Sequence, residues 1–168
     1  CIIIVCSSIY SLYLFNMEIT TELVKQLREK TGVSVMQCKK ALEETGGDME
    51  KATALLLEKS AEIASKKSDR TLGAGFIATY VHATGNVGVM LELLCETDFV
   101  AKNEEYKALA RDIAMHITAT NPVYLKSEEV KEGDEGGVLL TEQFIKNPEV
   151  TIQNLLESAT QKFGEKIE

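Results

Sequence analysis

Residues 76–101 read FIATYVHATGNVGVMLELLCETDFVA, and this stretch decides the architecture. Phe76–His82 is rich in β-branched and aromatic residues, Ala83-Thr84-Gly85-Asn86 supplies turn chemistry, and Val87–Cys95 is a second extended run. Two such runs around a Gly-Asn turn predict a β-hairpin. The second run is nearly all apolar, which predicts that both of its faces are at least partly covered. Helix resumes near Val100: Tyr106, Leu109, Ala110, Ile113 and Ile117 recur at helical spacing until Asn121-Pro122 ends the segment. A hairpin backed by helices makes the fold class α+β.

The junction between strand and helix, ETDFVA at 96–101, supports two readings. In the first, Thr97 or Asp98 caps the helix by accepting an orphan backbone N–H, and the acid complements the helix dipole. Phe99, seven residues before Tyr106, then turns toward the core. In the second, Asp98 and Phe99 stand at the protruding tip of a stiff corner. There the ring enters an apolar pocket on a partner while the carboxylate competes for donors beside it.

Toward the C-terminus, SEEVKEGDEGG at 127–137 predicts an acidic, glycine-rich mobile loop, and 138–145 a short extended piece ending at Asn147-Pro148. Val150, Ile152, Leu155, Leu156, Ala159 and Phe163 mark a final amphipathic helix that Gly164 stops. A two-stranded sheet is marginal alone, so a third strand or a second copy of the chain is physically wanted.

Toward the N-terminus, 17–67 reads as three short helices. Thr20 or Thr21 caps the first, whose Leu23, Val24 and Leu27 share a face until Gly32 stops it. Ser34 and Gln37 form an S-x-x-Q capping box for the second, with Val35, Met36, Cys38, Ala41 and Leu42 as its apolar residues. Gly46-Gly47 ends it, and Asp48 caps the third, which carries Ala52, Leu55, Leu56, Ile63 and Ala64. Helices this short are unstable singly in water and must pack together. Bundles of this size present a surface patch more often than an active site, and the turn from Gly32 to Met36 is the best candidate. Val35 and Met36 cannot both point inward from one turn: either one faces solvent, or both are half-buried core. Residues 65–75, SKKSDRTLGAG, read as a polar linker in which Lys66, Lys67 and Arg70 are solvated or touch an acidic partner.

Composition narrows the function. Across 168 residues the formal charge is -8, which argues against binding a phosphate backbone. Cys38 and Cys95 belong to no CxxC, and His82 and His116 lack ligand spacing, so no metal site is expected and the thiols read as small buried residues. No paired-carboxylate motif, phosphate-cradling glycine loop or Ser/His/Asp pattern is present. The expectation is a protein that is not an enzyme, takes no cofactor, and binds neither nucleic acid nor membrane directly. The uncharged stretch 1–16, CIIIVCSSIYSLYLFN, is shorter than the ~20 apolar residues of a membrane span and lacks a basic leader region. It reads as non-native or upstream-translated sequence, with a clipped hydrophobic anchor as the alternative.

The run LVKQLREKTGVSVMQCKKALEETGGDMEKA, Leu23–Ala52, resembles the N-terminal module of the elongation factor Ts family, whose opening is close to LVKxLRxxTGxxMMDCKKAL. ETDFVAKN, Glu96–Asn103, resembles that family's TDFV element, and AMHITATNP at 114–122 and FGEKI at 163–167 look like later family segments in the right order. Gln37 stands where the family usually has Asp, Val35 where it usually has Met, and 127–137 is shorter than the family's usual insertion.

The resemblance implies a guanine-nucleotide exchange factor that binds GDP-bound elongation factor Tu and speeds GDP release in translation elongation. The setting implied is the bacterial cytoplasm or an organellar matrix or stroma. It implies a UBA-like three-helix module at 17–67, a linker at 68–75, and a dimerisation-type α+β core at 76–168 with an antiparallel hairpin and packed helices. Family members continue past the Gly-Glu-x-Ile segment into a last strand, so the core is expected to be truncated; a homodimer is the implied compensation. Thr97, Asp98, Phe99 and Val100 match the corner inserted beside the nucleotide site of Tu. The aromatic ring wedges between elements of the GTPase, the acid lies near its Mg²⁺-side helix, and together they disturb the Mg²⁺ and phosphate contacts. Arg28, Val35 and Met36 match module positions that touch Tu. The alternative is a non-catalytic UBA-like interaction module whose TDFV corner is only a helix start.

Overall fold

The computed structural model describes residues 19–168; the apolar stretch 1–16, with 17 and 18, lies outside the described residues. Three helices come first: α1 Thr21–Thr31, α2 Val35–Glu44 and α3 Met49–Lys66. Each start is capped as its residue chemistry dictates: the Thr20 hydroxyl accepts from Leu23 N–H, Ser34 from Gln37 N–H and Asp48 from both Glu50 and Lys51 N–H. Gly32, at φ 69°, takes the left-handed conformation that ends α1 and turns the chain into α2. The S-x-x-Q box is half formed, because the Ser34 hydroxyl donates to the Gln37 side chain at 3.0 Å. Leu27, Leu42, Leu56, Cys38 and Val33 close a core between the three helices. Burying each leucine is worth roughly 1.5–3 kcal/mol of transfer free energy, which helices this short need.

The hairpin pairs β1 (Ala74–Val81) with β2 (Gly88–Cys95) antiparallel, in register from Ala74 opposite Cys95 to Val81 opposite Gly88. Gly75 is required where it stands, since a Cβ there would sit 2.8 Å from the Leu93 carbonyl oxygen. One face of the hairpin, with Ala78, Leu93 and Cys95, packs on the helix α5 (Glu104–Thr120). Tyr106 of α5 is fully buried there, donates its hydroxyl to the Leu93 carbonyl at 2.8 Å, and meets Phe163 edge to face. The other face, expected to be partly covered, leaves Ile77, Val81 and Met90 exposed among the described residues. A single helical layer covers only one side of a sheet.

After α5 the chain runs through two short 3₁₀ turns, at Ser127–Glu129 and Leu139–Thr141, to a second small hairpin. Its strands are β3 (Gln143–Phe144) and β4 (Asn147–Thr151), so the expected extended piece at 138–145 is half turn and half strand. Thr151 and Asn154 then form a capping box that opens α6 (Ile152–Phe163), which Gly164 ends in the left-handed conformation. Helix α6 packs along α3, and the Lys30–Glu149 ion pair at 2.9 Å ties α1 to β4. The last residues return to the hairpin: Ile167 is buried and bridges to Cys95, and Glu168 and Leu94 exchange backbone hydrogen bonds at 2.7 and 3.1 Å on the side of β2 away from β1. Among the described residues no helix is long and apolar enough to cross a membrane.

Candidate functional site: the Thr97–Val100 corner

Strand β2 ends at Cys95, and the backbone stays extended through Thr97 (φ -127°, ψ 154°) before one helical turn, α4, at Asp98–Ala101. Asn103 leaves the helical region and caps α5, its side chain accepting from Glu105 N–H at 2.8 Å. This interruption decides the orientation of Phe99. Continuous helix would have aligned it with Tyr106, but the break at Asn103 cancels the seven-residue phase. Val100 and Ala101 take the inward positions, and Phe99 is 80% exposed. The reading that turned Phe99 into the core is therefore corrected: the ring faces solvent.

Of the four residues expected at the corner, Asp98 and Phe99 project and Thr97 is exposed, while Val100 is buried in the core. Its side chain anchors the turn and is not available for contact. Neither Thr97 nor Asp98 caps α4 with its side chain. The Asp98 carboxylate pairs with Lys102 one turn on, at 2.5 Å, and that ammonium holds its carboxyl below the usual aspartate range. Both side chains are about three-quarters exposed, so the pair orients the carboxylate more than it stabilises the fold.

The corner is gripped from the far end of the chain. The Glu165 carboxylate accepts from Thr97 N–H at 3.0 Å and from the Thr97 hydroxyl at 2.5 Å. Next to it, the Glu96 carboxylate accepts from Lys166 N–H at 2.6 Å and from the Arg70 guanidinium at 3.1 Å. The Lys166 amide, followed by Arg70, holds the Glu96 carboxyl below the ordinary glutamate range. The pairing of Arg70 with Glu96 corrects the reading of this residue as a solvated linker charge. Nothing in the sequence spacing announced the roles of Glu165, Lys166 and Arg70, because their partners lie far off along the chain.

In the helical module, Arg28 is exposed near the end of α1. Val35 and Met36, at the start of α2, are 50% and 76% exposed. The reading that puts one of them in solvent holds and extends to both, and the alternative of two half-buried core residues is corrected, since Val33 takes the inward slot. Val33 precedes the Ser34 cap and packs with Cys38 in the module core, the arrangement of a hydrophobic staple. That frees the next two apolar side chains for the surface.

The arrangement offers contact chemistry. Among the described residues no cluster of His, Cys, Asp and Glu has metal-binding geometry. Cys38 and Cys95 are buried free thiols whose pKa burial pushes up, the opposite of an activated nucleophile.

Comparison with known proteins agrees with the motifs. The family model described as elongation factor TS matches residues 15–134. The chain is 42% identical to elongation factor Ts of Heliobacterium modesticaldum over 89% of this chain and 85% of that protein. It is 43% identical to elongation factor Ts of Thermodesulfovibrio yellowstonii over 90% of this chain and 92% of that one. For elongation factor Ts of Thermotoga petrophila the identity is 42%, over 90% and 77%. By the extent of these matches, and as an α+β protein carrying the TDFV run on a strand-to-helix corner, this chain belongs to the elongation factor Ts family.

Proposed function

We propose that this chain is a guanine-nucleotide exchange factor that binds elongation factor Tu carrying GDP and promotes GDP release during translation elongation. The observation that carries the reading is Phe99, a large aromatic ring 80% exposed at a turn whose next two residues are locked in the core. An aromatic side chain held in that way can enter a pocket on a partner without first losing much conformational freedom. Asp98 beside it brings a carboxylate, oriented by Lys102, to compete for the donor groups that hold the phosphates in a GTPase.

Exchange is a coupling of two binding equilibria. The factor and GDP each weaken the other's hold on Tu by the same ratio, and no covalent bond is made or broken. The corner acts only as far as it binds the distorted GTPase better than the GDP-bound form. In this reading Thr97, Asp98 and Phe99 form the exchange element, with Val100 as its anchor. Arg28, Val35 and Met36 form a separate docking patch on a UBA-like module at 17–67, joined through 68–75, whose last two residues already pair in β1, to the core at 76–168. The uncovered hairpin face around Ile77, Val81 and Met90 fits a second copy of the chain; sedimentation equilibrium of wild type against Met90→Lys tests this, and identical monomer masses overturn the dimer.

Stopped-flow release of fluorescent GDP from Tu tests the main reading. Phe99→Ala should slow release about 10- to 100-fold, the size of an interface hot spot. Wild-type rates in a folded Asp98→Ala/Phe99→Ala double variant overturn it. In that case the exposed Val35 and Met36 favour a plain interaction module, whose capture of Tu would be insensitive to the corner.

A further inference from the structure

We propose that Glu165 is a positioning residue for the exchange corner, and that with Glu96 it forms a two-way clasp that sets how Asp98 and Phe99 are presented. The inference rests on the exchange reading above. Its observation is a reciprocal swap between neighbouring residues of two distant segments. Glu96 takes the backbone N–H of Lys166, and Glu165 takes the backbone N–H and the hydroxyl of Thr97.

A four-residue helix has almost no intrinsic stability, because the first turn fixes several dihedrals for very few hydrogen bonds. Something outside α4 must hold its start. An N-cap side chain usually does this, but the Thr97 hydroxyl makes no cap bond and is turned to Glu165. The Glu165 carboxylate engages both donors of Thr97, one through each oxygen, and so pins that residue in its extended conformation. Such charge-assisted bonds are stronger than neutral ones. Lys67 lies near both carboxylates and Arg70 pairs with Glu96, and these positive charges offset the carboxylates' mutual repulsion.

The far side of the clasp is itself immobile. Gly164 ends α6 at φ 75°, Ile167 is buried against Cys95, and Glu168 pairs with Leu94. The position of α6, which packs on α3 of the helical module, is thereby carried to the turn bearing Phe99. With the clasp open, Thr97 can leave the extended region, and the ring must be ordered at the moment of binding instead of beforehand.

The test is a double-mutant cycle between Glu165→Ala and Phe99→Ala, read by GDP release from Tu across a range of exchange-factor concentrations. Glu165→Ala should lower the maximal release rate about 10-fold and change the half-saturating concentration less than about twofold, since the Val35–Met36 patch still docks. In the Phe99→Ala background it should cost less than about twofold more, because the ring is gone and only the Asp98 carboxylate, which Lys102 also orients, is left to position. Thr97→Val, which removes one donor and keeps the shape, should lower the maximal rate about threefold, and it decides the matter should Glu165→Ala fail to fold. A normal maximal rate in folded Glu165→Ala or Thr97→Val, or strictly additive losses with Phe99→Ala, overturns the clasp and leaves the exchange reading standing. Unimpaired release by Phe99→Ala alone overturns the exchange role of the ring, and the clasp's role with it.

Discussion

Phe99 and Val100 are neighbours in the chain and stand on opposite sides of the protein's surface, the ring 80% exposed and the valine 4%. The single turn α4 rotates successive side chains by about 100°, enough to send one outward and seat the next in the core that Tyr106 and the hairpin share. The corner therefore divides its labour residue by residue, and the two positions should answer substitution in opposite ways. Val100→Ala removes buried methyl groups and should cost about 1–3 kcal/mol of stability by urea unfolding, while Phe99→Ala should change it by less than about 0.5 kcal/mol. Equal destabilisation by the two would contradict the geometry.

Glu96 should leave an acid signature. The Lys166 N–H, then Arg70, holds its carboxyl below the ordinary glutamate value of 4.5. The folded value lies below the unfolded one, so the contribution is complete above the ordinary value and is lost as the pH falls through the depressed one. Melting temperature followed from roughly pH 6 to pH 3 should therefore fall less steeply in Glu96→Gln than in wild type, with the two curves converging at the acid end. Parallel curves over that range would remove Glu96 from the linkage.

Val35 and Met36 are exposed on a helix whose core is closed without them. Val35→Asp/Met36→Asp should unfold within about 0.5 kcal/mol of wild type, yet bind Tu at least ~10-fold more weakly by calorimetry. Unchanged affinity would take the patch out of the docking surface.

Gly75 faces a backbone oxygen that cannot move without breaking the register of the hairpin. Gly75→Ala should destabilise by about 1–3 kcal/mol in urea unfolding, in spite of alanine's better conformational entropy. A neutral substitution would mean that β1 and β2 slide more easily than their pairing implies.

The helix starts at Ser34 and Asp48, the stop at Gly32 and the hairpin around Gly85 were legible from residue chemistry, because a cap or a turn is decided within four residues. Periodicity misled at two places. The seven-residue spacing of Phe99 and Tyr106 assumed one helix, and Asn103 makes two. The apolar run of Val33, Val35 and Met36 did not reveal which of its members turns inward, because that depends on where Ser34 enters α2.

By itself the sequence determined the class of fold, the order of its elements and the family, since these follow from short-range patterns and from motifs tens of residues long. Tertiary structure alone decided that Phe99 faces outward, that Val100 anchors it, and that Glu165 grips Thr97 from across the molecule. A side chain's direction is set by the packing of every element around it, and a contact between residues 97 and 165 exists only after the chain has closed on itself.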